Sequence, residues 1–132
     1  MLEVNKSSLV EDKNLSKFEI TENFTCIRFL DNNKEKFELE FNLEQGTSFN
    51  TFLIRSNAEL FVIHPPEKSY LNSFNKIISN FFDQFKLNKI NIITGHINPQ
   101  IIQTIKTINT QFKSLTITCS NPGFKLISEL WN

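Results

Sequence analysis

Residues 59–94 read ELFVIHPPEKSYLNSFNKIISNFFDQFKLNKINIIT, and two changes of period within them decide the fold. ELFVIH (59–64) is a short, nearly all-apolar run, the pattern of a central strand covered on both faces. Pro65 and Pro66 stop it, and a proline costs nothing beside a first helical turn, where its missing N–H would have no partner. Leu71, Phe74, Ile78, Phe81 and Phe85 then recur at three- and four-residue steps. That spacing marks one face of a helix of about 18 residues. INIIT (90–94) returns to a short buried run. Strand, helix and strand in this spacing make a parallel crossover.

Downstream the alternation repeats. PQIIQTIKTINTQF (99–112) puts Ile101, Ile105, Ile108 and Phe112 on one helical stripe, LTITC (115–119) is a further buried strand, and SNPG (120–123) precedes a last helix, FKLISELWN. Upstream the period is two. FTCIRFL (24–30) ends in the turn signal DNNK, after which KFELEFNLE (36–44) sets Phe37, Leu39, Phe41 and Leu43 against Glu38, Glu40, Asn42 and Glu44. This predicts a strand with one wet face, forming a hairpin with the strand before it. QGTS turns the chain into FNTFLIRS (49–56), and Asn57-Ala58 turns it into the strand at 59–64.

Residues 1–22 are mostly polar and read as a loosely ordered leader with a short strand near Phe18–Ile20; residues 23–132 form one domain. The expected class is α/β (α+β): a mixed β-sheet with antiparallel hairpins first, then β-α-β-α-β-α, with the helices on one face. The other face of that sheet has no obvious partner within the chain.

Composition narrows the function. In 132 residues, 14 basic and 14 acidic side chains cancel, leaving no electrostatic footprint for nucleic acid or anionic lipid. No basic start leads into an apolar run, and no segment reaches the roughly 18 apolar residues that span a bilayer. The expectation is a soluble, cytoplasmic protein without membrane insertion. Cys26 and Cys119 each fall within apolar alternation and read as small buried hydrophobes, not as a disulfide. Phenylalanine is abundant (14) and glycine scarce (3), a bias that fits an AT-rich genome and carries no chemistry by itself. Glycine-rich phosphate loops, Cys-x-x-Cys and Gly-x-Ser-x-Gly are absent from the sequence.

IITGHINPQII (92–102) is where chemistry would sit. A histidine at the exit of a buried strand is a common metal ligand, yet Asn98 and Gln100 stand where a metal site would want carboxylates. The competing reading is a turn: Asn98 as helix cap, Pro99 at the first helical position, and His96 bonding a nearby carbonyl. With neutral amides and Ile101 beside it, the turn fits His96 better. His64 ends its strand against Pro65 and also reads as structural. Both histidines close predicted strands and can open onto the same side of the sheet. Two imidazoles alone make only a weak transition-metal site. Ser120 or Asn121 reads as another helix cap, and Glu38, Glu40 and Glu44 as a solvated sheet face.

RF followed by KFELEFNLEQGTSFNTFLI, then FVIHPPEKSY, TGHINPQIIQTIK and TCSNPGFKLI, in this order and spacing, resemble the leading part of the metallo-β-lactamase-like domain of flavodiiron proteins. The likeness is to the diflavin type of oxygenic phototrophs and covers residues 24 to 132. It implies a partial αββα sandwich. It also implies a family reaction in which NAD(P)H or a photosynthetic donor reduces O2 to water through FMN and a diiron site, in a photoprotective role. The family's loop carries His-x-Glu-x-Asp-His. By that resemblance His96 holds the first histidine position, Asn98 stands for the glutamate, Gln100 for the aspartate and Ile101 for the second histidine; further ligands would fall beyond residue 132. Some phototroph relatives carry similarly altered loops. His64 stands where the family commonly has aspartate.

The resemblance thus implies a metal loop without metal chemistry: no catalytic residue, no metal ligand set and no cofactor held by this chain, with the family's diiron and FMN lying elsewhere. The chain is then expected to be inactive alone, acting as a homo-oligomer or on a longer flavodiiron-type protein. Two alternatives stay open, a homo-oligomeric structural or interaction domain without redox role, and a small metal-dependent hydrolase built on His64 and His96.

Overall fold

Period-two segments become strands that differ in which face they bury. The computed structural model describes residues 5–6, 15–31, 36–37, 41–42 and 47–131. The strands are β1 (Asn5–Lys6), β2 (Leu15–Thr21), β3 (Phe24–Asp31), β4 (Lys36–Phe37), β5 (Phe41–Asn42), β6 (Thr47–Ser56) and β7 (Glu59–Ile63). The alternating part follows as α1 (Leu71–Phe85), β8 (Lys89–Ile93), α2 (Pro99–Gln111), β9 (Leu115–Thr118) and α3 (Asn121–Leu130). Seven strands form one sheet in the order β1-β2-β3-β6-β7-β8-β9. Pairing is antiparallel as far as β7 and parallel from β7 through β8 to β9. The expected meander followed by parallel crossovers is the observed topology.

Three expectations need correcting. KFELEFNLE is not one strand hairpinned to the strand before it. Both edges of β3 are taken, by β2 and β6, and Lys36–Phe37 instead pairs with Phe41–Asn42 in a separate two-stranded sheet. Glu38, Glu40 and Glu44, expected on a wet sheet face, lie outside the described residues. The sheet also begins well before residue 23. Leu15 is buried in the core at the start of β2, so the short strand expected near Phe18–Ile20 extends from 15 to 21. Likewise β6 starts at Thr47, inside the expected turn.

One face of the sheet is dry. Ile27 and Phe29 of β3, Leu53 of β6, Leu60 and Val62 of β7 and Ile90 and Ile92 of β8 are fully buried. Against them pack Phe74, Ile77, Ile78 and Phe81 of α1 and Ile101, Ile105 and Ile108 of α2. Right-handed crossovers between parallel neighbours advancing in one direction put both helices on the same side. The 18-residue helix expected from the stripe is a 3₁₀ turn, Lys68–Tyr70, running into the 15 residues of α1. Phe85 ends that stripe half-buried, with the Arg55 guanidinium 3.4 Å from its ring centre. In the same last turn of α1, Phe82 packs against Phe112, ring centres 4.6 Å apart and planes tilted by 46°.

The opposite face is apolar too, and this is the third correction: β7 is central, but among the described residues only one of its faces is fully buried. Strand register runs Phe18–Cys26–Phe52–Ile63–Ile93 in one row and Phe24–Ile54–Phe61–Asn91 in the next. Apart from Cys26 these side chains are half-buried or exposed, and Ile93 reaches 37% exposure. Phe24 and Phe52 lie side by side there, ring centres 5.7 Å apart. Both cysteines are free thiols. Burial pushes the Cys26 thiol above its ordinary pKa, against a smaller lowering by the Arg28 charge. Cys119 is only half-buried, so the reading of two buried cysteines holds for Cys26 alone.

Candidate functional site

Parallel strands direct their C-terminal ends to one edge of the sheet, and the loops that leave that edge build the site. At the end of β7, His64 adopts a left-handed backbone, φ 56°. Two hydrogen bonds hold it there: its N–H donates to the Ile93 carbonyl at 3.0 Å, and its carbonyl accepts from the Thr51 hydroxyl at 2.6 Å. Left-handed backbone in a non-glycine residue costs about 1–2 kcal/mol, so the packing around His64 has to supply that. The residue ends β7 by turning the chain out of the ladder.

At the end of β8, Thr94 is buried and anchors the next loop. Its N–H donates to the Thr118 carbonyl at 3.0 Å and its hydroxyl to the His96 carbonyl at 2.6 Å. The Asn98 side chain then caps α2: Oδ1 accepts from the Ile101 N–H at 2.9 Å, with Pro99 at the start of the helix. This is the capping turn the sequence predicts. Ser120 caps α3 in the same way, accepting from the Gly123 N–H at 3.2 Å. Gly123 lets α3 approach the loop, since a Cβ there would come 2.7 Å from Ile97 Cδ1.

The structure brings His64 and His96 into one cleft of about 340 Å³, together with Glu67, Tyr70, Asn98 and Ile101. The sequence reading placed the two histidines on one side and missed Glu67 and Tyr70. Their signal is positional: they follow the Pro65-Pro66 stop, on the loop that leaves the same sheet edge as the 94–98 loop. Tyr70 is fixed from below by Phe29, ring centres 4.7 Å apart.

The four loop positions go separate ways. His96 is exposed, and Asn98 Oδ1 is engaged by the helix cap. Gln100 is exposed on the first turn of α2, where its backbone carbonyl accepts from the Thr104 hydroxyl at 3.3 Å. Ile101 is 2% exposed and belongs to the core. Among the described residues no group of three or more His, Cys, Asp or Glu side chains is placed to share a metal ion.

No family model matches the chain. Among known proteins, diflavin flavoprotein A 6 of Nostoc sp. is 29% identical over 116 residues, which is 88% of this chain and 20% of that protein. A metal-soaked flavodiiron core from Synechocystis sp. superposes with a TM-score of 0.73 at 27% identity, over 89% of this chain and 28% of that one. The chain belongs to the flavodiiron family. Its fold is that of the lactamase-like core. The metallo-β-lactamase FIM-1 from Pseudomonas aeruginosa, in its mono-zinc form, matches with a TM-score of 0.60 over 92% of this chain and 48% of its own length. At 9% identity that likeness concerns the fold alone. The flavodiiron relatives are much longer; the chain spans about one fifth of the diflavin flavoprotein.

Proposed function

We propose that this chain is a non-catalytic flavodiiron relative that holds no diiron centre and acts through a partner. The observation that carries the reading is the engagement of Asn98. At the position where the family resemblance calls for a carboxylate, a neutral amide turns its oxygen onto the Ile101 N–H at 2.9 Å. A dinuclear iron site needs several anionic or imidazole donors converging on the metals to offset their charge. Here His96 is the sole such donor in the loop, Gln100 is neutral, and Ile101 is packed into the core. The residues present do not fit the group, so no step of oxygen reduction is assigned to them.

The reaction implied for the intact family, reduction of O2 to water with electrons from NAD(P)H or a photosynthetic donor by way of FMN, would then belong to a longer flavodiiron-type partner. The contribution of this chain would be structural or regulatory, in the cytoplasm, as a homo-oligomer or docked on that partner. None of the described helices is long and apolar enough to cross a membrane.

The cleft shared by His64 and His96 is the observation a metal-dependent hydrolase would need. It is the weaker reading, because no third ligand joins them among the described residues. The test is oxygen uptake by the purified chain supplied with reduced FMN and ferrous iron. The expected rate equals that of the same mixture without protein. A protein-dependent, saturable rate overturns the proposal.

A further inference from the structure

We draw no further inference here: the strongest candidate, the apolar sheet face opposite α1 and α2 that carries Phe52, Phe61 and Ile93, supports none, because nothing in the structure shows what covers it.

Discussion

Asn98 can serve a metal or a helix, and here it serves the helix. The four amide N–H groups that open α2 have no partners inside the helix, and Oδ1 satisfies one of them at Ile101. Asn98→Ala should therefore lower stability by about 1 kcal/mol, read as a shift of the denaturant midpoint, whereas Asn98→Asp should keep the cap. Ile101 makes the complementary case. Replacing it with the histidine that the resemblance would put there sets an imidazole among Ile105, Ile108 and Phe74 in a dry core. Ile101→His should cost about 2–4 kcal/mol by the same measurement. A smaller cost would mean that the imidazole turns out of the core into the cleft that Ile101 lines. Substituting ligands back into this loop one at a time thus meets folding penalties before it meets metal.

At the level of elements, the end of β7 is the strained joint. His64 holds φ 56° because Thr51 and Ile93 bind its backbone from both sides, which positions its ring at the cleft. A β-branched side chain resists that conformation most and asparagine resists it least. His64→Val should thus lose about 1–2 kcal/mol, while His64→Asn should melt close to wild type in thermal denaturation. The helices were legible in the sequence because Phe74, Ile78 and Phe81, and then Ile101, Ile105 and Ile108, repeat at helical spacing and reach the core at those positions. The caps were legible from Asn98-Pro99 and Ser120 for the same local reason. KFELEFNLE was misread because alternation specifies which face a strand buries and not which strand it pairs with. Neighbours were decided at a distance, when β2 and β6 occupied both edges of β3. The left-handed turn at His64 was invisible for a related reason: no glycine or asparagine marks it, and tertiary hydrogen bonds impose it.

For the molecule as a whole, the strand ends at one sheet edge build a well-formed cleft that His64 and His96 share. Phe29, Phe74, Leu53 and Ile92 are fully buried, and Ile101 belongs to the same core. The proposed non-catalytic reading leaves association as the role of the scaffold, and the chain's balance of charge fits that role better than binding to a polyanion. The decisive quantity is therefore iron held per chain. Purified protein should be loaded anaerobically with excess ferrous iron, desalted and assayed for metal by mass spectrometry. The account predicts retained iron far below one atom per chain. Two tightly held iron atoms per chain would contradict it.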